Sequence, residues 1–175
     1  VSGPARHLNV PVAAAGAAPL FRAVAWGVPL FLIAVTFVPD EDHTPLSQGT
    51  VLTLALVILA WFQLAPRRLA YTLTSDAVVI QRIIGQTRIL YAGLSARRTS
   101  GVLGIRTFGT GLPGYLTGHF TLSRDERGVG RVLAAAARGR DGVLLHSDNT
   151  DYFLTPADPA AFLAELARRG AQVTP

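Results

Sequence analysis

The chain has 175 residues, half of them hydrophobic, with a mean hydropathy of +0.36 and a formal charge of +5. Charged residues make up 15%. An ordinary soluble domain holds roughly a quarter, so part of this chain is built to avoid water, while the apolar content excludes disorder. The absence of cysteine excludes a disulfide scaffold and a thiolate metal site, and all sixteen basic residues are arginine.

In chain order, residues 1–19 hold an Ala-Ala-Ala-Gly-Ala-Ala stretch with little to bury and are expected to form a flexible tail. Residues 20–65 are expected to form a two-helix transmembrane hairpin. Leu20 to Val38 carries a single charge, Arg22. As a helix it rises ~28 Å, close to the hydrocarbon thickness of a bilayer, where Pro29 is tolerated as a kink. Thr50 to Leu64 is fifteen residues and reaches twenty only with Leu46, Ser47, Gln48, Gly49 and Ala65. Alone it reads as a buried helix; paired with the first span across a short loop, it reads as the return leg. Trp26 and Trp61 lie toward the arginine-bearing ends, where interfacial aromatics are enriched. Arg6 and Arg22 precede the first span, and the membrane-proximal Arg67 and Arg68 follow the second. The connecting loop, Pro39 to Gly49, holds Asp40, Glu41 and Asp42 and no arginine. The positive-inside rule then places the N-terminus and the C-terminal domain in the cytoplasm, at the inner (plasma) membrane. A signal peptide is the competing reading of the first span, but its apolar core is normally shorter and no small-residue cleavage site precedes Pro39.

Residues 71–170 are expected to form one cytoplasmic domain, mostly of strands. Ala77 to Ile84 is rich in β-branched residues, and Gly85-Gln86 turns into Thr87 to Tyr91. Gly118 to Ser123 alternates, with Phe120 and Leu122 on one face. Val143 to His146 and Tyr152 to Leu154 flank a hairpin loop, Ser-Asp-Asn-Thr-Asp. Arg131 to Ala137 is alanine-rich but short and bounded by glycine-bearing turns, which favours a strand. Thr155-Pro156-Ala157-Asp158 reads as a helix start, with a capping residue, a proline at the first helical position and a carboxylate in the first turn. Phe162, Leu163 and Leu166 supply the apolar stripe of that helix, and Arg168 and Arg169 complement its C-terminal end.

Three stretches resemble the bacterial pleckstrin-homology-like (PH-like) domain families, several of which sit behind a pair of membrane helices. They are Tyr71-Thr72-Leu73-Thr74-Ser75-Asp76; Gly109-Thr110-Gly111-Leu112-Pro113-Gly114-Tyr115 with Gly118-His119-Phe120; and Tyr152-Phe153-Leu154-Thr155-Pro156-Ala157-Asp158-Pro159 with Phe162. The resemblance implies an α+β, mainly β, domain: a seven-stranded bent barrel capped by a C-terminal helix. It implies no catalytic residues and no single function, because barrels of this type serve many binding roles.

Gly109, Gly111 and Gly114 formally match the dinucleotide fingerprint. That fingerprint needs a helix after it, and here Pro113 and Tyr115 lead into a strand-like segment. The plainer reading is a turn whose glycines supply positive φ; a binding loop over Gly109, Gly111, Pro113, Gly114 and Tyr115 is the other. His119 and His146 are the only histidines that share the domain, with no carboxylate at metal-like spacing, so neither a metal nor a cofactor is expected. His146-Ser147-Asp148 holds triad residue types, but adjacent strand residues point to opposite faces.

Ten arginines against two acids lie between Arg82 and Arg140. Arg82, Arg88, Arg97, Arg98 and Arg106 are the candidates for an anionic surface. Lipid headgroups would reward each nearby arginine by ~1 kcal/mol, whereas an ordinary solvated basic surface would look the same in sequence. Nucleic acid is not an expected partner, because no basic helix or aromatic platform accompanies the charge. The expected role is a non-enzymatic membrane scaffold: anchored in the lipid bilayer by two spans, it binds a protein partner or forms a homo-oligomer. The rivals are an anionic-lipid or small-ligand sensor and a membrane-proximal enzyme.

Overall fold

A computed structural model describes residues 7–14, 19–37, 45–112, 114–123, 128, 130–174. Two helices come first, α1 (Pro19–Val35) and α2 (Pro45–Leu64). They pack on one another, with Pro29 and Ala55 buried. Leu30, Phe31, Leu54, Leu56 and Val57 face outward. The segment Gln48–Arg68 is long and apolar enough to cross a membrane; α1 contributes the shorter apolar run Ala25–Val35. The second helix therefore takes the full twenty residues that needed Leu46 to Gly49, so Pro45 to Gly49 is helix rather than loop. The acidic loop residues Asp40 to Asp42 lie outside the described residues.

The rest is mainly β. A four-stranded meander runs in the order β1 (Leu8–Val10), β2 (Ala70–Leu73), β3 (Ala77–Gln81), β4 (Gln86–Leu90). The second sheet is built from β5 (Ser95–Thr99), β6 (Val102–Leu112), β7 (Tyr115–Ser123), β8 (Arg131–Ala136), β9 (Gly142–Ser147), β10 (Thr150–Leu154) and β11 (Gln172–Thr174). Its order is β11-β5-β9-β10-β8-β7-β6. β10 enters between β9 and β8, antiparallel to the first and parallel to the second. The helix α3 (Pro159–Arg168) closes one end.

This corrects the seven-strand expectation: the described residues hold eleven strands in two sheets. Three were invisible as amphipathic patterns. β5 is Ser-Ala-Arg-Arg-Thr, whose buried positions are the small Ala96 and Thr99. β11 follows the helix and is only three residues long. β1 lies in the expected tail, yet Leu8, Asn9 and Val10 pair with Leu73, Thr72 and Tyr71, and Val12 bridges Pro156. The meander has an open edge at β2, and the tail fills it.

The main core lies between the sheets. Tyr71, Leu73, Val78 and Ile80 meet Val143, Leu145 and Leu154 from the second sheet and Phe162 and Leu166 from α3. Residues of opposite parity on the same strands, Ala134, Ala136, Leu144 and Phe153, join Phe120 and Leu122 in a second cluster, so the larger sheet is packed on both faces.

The helix start lies three residues later than expected. Asp158 is the N-cap, its carboxylate accepting from the Ala161 N–H at 2.9 Å, and Pro159 takes the first helical position. Thr155 instead accepts from the Ala137 N–H at 2.8 Å. At the other end, Gly170 at φ +95° lets the Gly170 and Ala171 N–H groups reach the carbonyls of Ala167 and Leu166.

Candidate functional site at the helix–sheet junction

No linker separates α2 from the domain. A short 3-10 turn, Pro66–Arg68, joins Leu64 to β2, and the residues on either side of it, Ala65 and Leu69, are buried in the main core. Arg67 and Arg68 are exposed at this turn. The β3–β4 hairpin folds back toward the helix, its turn closed by the Arg82 N–H donating to the Gly85 carbonyl at 3.2 Å. Expected to continue the strand, Ile83 and Ile84 instead form this turn, because the ladder ends where Gln81 pairs Gln86.

Two grooves flank Trp61. The larger, about 460 Å³, is walled by Val57, Trp61, Leu64 and Arg68 with Ile83. The smaller, about 170 Å³, lies between Trp61, Arg82, Ile84 and Phe108. Ile84 is 83% exposed and Phe108 74%, and among the described residues no carboxylate lines either groove. Nothing in the amphipathic pattern singled these residues out. The available signal was an Ile-Ile pair beside Gly85, since turns normally carry small or polar residues.

The candidate arginines do not share one face. Arg82 lines the smaller groove and donates to the Thr87 hydroxyl at 2.6 Å. Arg88 is paired with Asp76, and that hydrogen bond holds the Asp76 carboxyl below its usual range. Arg97 and Arg98 are neighbours on β5 and so project from opposite faces of the second sheet. Arg106 is exposed on β6 and packs over Gly111.

The glycine stretch is a hairpin. Gly109 and Gly111 lie within β6, Gly114 turns at φ +78°, Pro113 lies outside the described residues, and Tyr115 opens β7. No helix follows, so the dinucleotide geometry is missing here. Gly109 and Gly118 face each other across the ladder at φ +109° and +116°. Tyr115 is buried, and its hydroxyl accepts from the Ile83 N–H at 2.9 Å, so it braces the β3–β4 turn.

The histidines do not converge. His146 is on β9 and His119 on β7, with β10 and β8 between them. His146 Nδ1 lies 2.9 Å from Asp151 Oδ1, and Ser95 stands opposite His146 on β5, in a shallow cleft of about 170 Å³ shared with Arg97. The residue types suit acyl transfer. However, β9 is paired on both sides, so its backbone N–H groups belong to ladders and form no oxyanion hole.

Two packed sheets with a C-terminal helix across one end make a mainly β domain, and the family comparison agrees with that fold. Residues 69–170, more than half of the chain, match the family model described as Bacterial PH domain, and the chain belongs to that family. Comparison with curated proteins and with solved structures finds no match.

Proposed function

We propose that the protein is a membrane-anchored, non-enzymatic scaffold. In this reading α1 and α2 cross the inner membrane as a hairpin with both chain ends in the cytoplasm, and the PH domain binds a protein partner or a second copy there. The observation that carries it is the ending of α2: Ala65 and Leu69, on either side of the short turn that follows the helix, are both buried in the domain core, so the helix runs into the domain without a free linker. The outward-facing Leu30, Phe31, Leu54, Leu56 and Val57 support the anchoring half, since water penalises such a surface and lipid does not. The partner half rests on β4, an edge strand of the smaller sheet with an exposed Leu90, suited to strand addition. β6 is also an edge, but its register shifts between Leu103 and Phe108 interrupt the ladder that a new strand would extend.

The test uses the full chain in cells. Alkaline carbonate should leave it in the membrane pellet, and Leu54→Arg with Leu56→Arg should release it. A photo-crosslinker at Leu90 should give one discrete protein adduct, absent with the crosslinker at Ser75. Extraction of the wild type by carbonate would sink the anchor, and adducts at both positions or neither would sink the partner edge.

A further inference from the structure

The geometry points to a lipid seat on the domain itself: Ile84 and Phe108 enter the interfacial layer of the bilayer beside Trp61, with Arg67, Arg68 and Arg82 on the anionic headgroups. This rests on the anchored reading above and adds a second, orientation-fixing contact to it.

The depth argument comes from α2. The larger groove brings Ile83 against a stretch of helix running from Val57 to Leu64. At 1.5 Å per residue this is about the last 10 Å of the helix. The β3–β4 turn therefore stands level with the end of the span rather than beyond it. Trp61, one turn from the helix end, belongs at the depth where amphipathic rings collect at headgroups. The smaller groove sets Ile84 and Phe108 at that same Trp61. A bilayer crossed by α2 meets these side chains first. Both are among the most exposed large apolar residues of the domain, with Ile105 at 76% on the same strand as Phe108.

The charge pattern fits the same occupant. Arg67 and Arg68 lie in the turn after the helix, Arg82 lines the smaller groove, and among the described residues neither groove has an acidic wall. Exposed apolar side chains with an arginine beside each groove are complementary to a surface with acyl chains below and phosphates above. Tyr115 braces the turn from behind, its hydroxyl accepting from the Ile83 N–H.

The chain has no cysteine, so single-cysteine variants carry one spin label each. The full chain would be reconstituted in phosphatidylcholine vesicles with and without phosphatidylglycerol, and label accessibility to oxygen and to a water-soluble nickel complex compared. Leu54→Cys reports the span. Ser75→Cys lies at the far end of the hairpin, removed from the turn by the five residues of β3, about 17 Å. Ile84→Cys and Phe108→Cys report the seat, and both positions are exposed enough to accept the change. The expected result is an oxygen-to-nickel ratio at 84 and 108 several-fold above that at 75, rising further with the anionic lipid. Ratios at 84 and 108 equal to that at 75, with 54 in lipid, would overturn the seat and leave the anchor standing. A water-exposed label at 54 would overturn the anchor and the seat together. Protection from both reagents at 84 and 108 would mean a protein covers them, which also overturns the seat.

Discussion

The hydroxyl of Tyr71 accepts from the Thr155 N–H at 3.2 Å while donating to the Ala135 carbonyl at 2.5 Å. One side chain thus ties the smaller sheet to the end of β10 and to β8, at a fully buried point beside the ring of Phe162. Tyr71→Phe keeps the ring and strands both partners. It is expected to lower stability by ~1–3 kcal/mol in denaturant unfolding of the detergent-solubilised chain.

Burial pushes the Tyr71 phenol from 10.0 up to about 12. Between those values the unfolded chain has lost the proton and the folded chain still holds it, so the unfolded state binds fewer protons and stability falls as pH rises. The contribution is fully present below pH 10 and gone above 12. Tyr71→Phe should flatten the alkaline loss of stability in that window, and phenolate absorbance of the folded wild type should show one more late-titrating tyrosine than the variant. An unchanged alkaline slope would contradict the shift.

Asp158 and Thr155 separate capping from core bonding. Asp158→Ala should cost ~1 kcal/mol and speed hydrogen exchange at the first turn of α3. Thr155→Val leaves the buried Ala137 N–H without its acceptor and should cost ~1–3 kcal/mol, with the first turn of α3 still protected. Fraying of α3 in the threonine variant would return the cap to Thr155.

Arg168 and Arg169 are adjacent and unequal. Arg169 bonds both Glu165 and the Thr74 carbonyl, joining α3 to the β2–β3 turn, whereas Arg168, exposed, bonds Glu165 on its own helix. Arg169→Ala is expected to lower stability by ~1.5–3 kcal/mol. Arg168→Ala should stay within ~0.5 kcal/mol. Equal thermal shifts for the two would contradict this division.

At Gly109 an added Cβ would stand 2.1 Å from the Thr117 carbonyl oxygen, and at Gly118 2.2 Å from that of Phe108. At Gly85 it would meet nothing, and only its φ of +74° is strained. Gly85→Ala should cost ~1–2 kcal/mol. Gly109→Ala and Gly118→Ala should cost well above ~2 kcal/mol, since backbone strain and a backbone clash combine. The readout is the thermal midpoint of each variant; equal losses at all three positions would mean the two strands do not approach so closely.

Where the chain alternates or carries a strong cap signal, its local reading and the structure agree. Of the expected strand Thr87 to Tyr91 all but Tyr91 falls within β4, which opens one residue earlier at Gln86; Val143 to His146 falls within β9, and the alanine-rich run from Arg131 is β8 as far as Ala136. The late helix start shows the limit of such signals: Thr155-Pro156 reads as the cap in sequence, but the Thr155 hydroxyl is taken by the Ala137 N–H just past the end of β8, and the cap falls to Asp158. The candidate arginines were legible as charge but not as a surface, since which face of a sheet each occupies depends on strand register.

The sequence alone determined the apolar leading segment, the mainly β domain with its C-terminal helix and the family to which residues 69–170 belong. Each of these rests on local periodicity or on motifs within a few residues. Tertiary structure alone decided that Leu8–Val10 fills a sheet edge, that Tyr71 reaches Thr155 and that Ile84 and Phe108 meet at Trp61. Those pairs lie tens of residues apart in the chain. Bringing them together requires loops closed by the packing of the whole core, and no short window of sequence records which closures win.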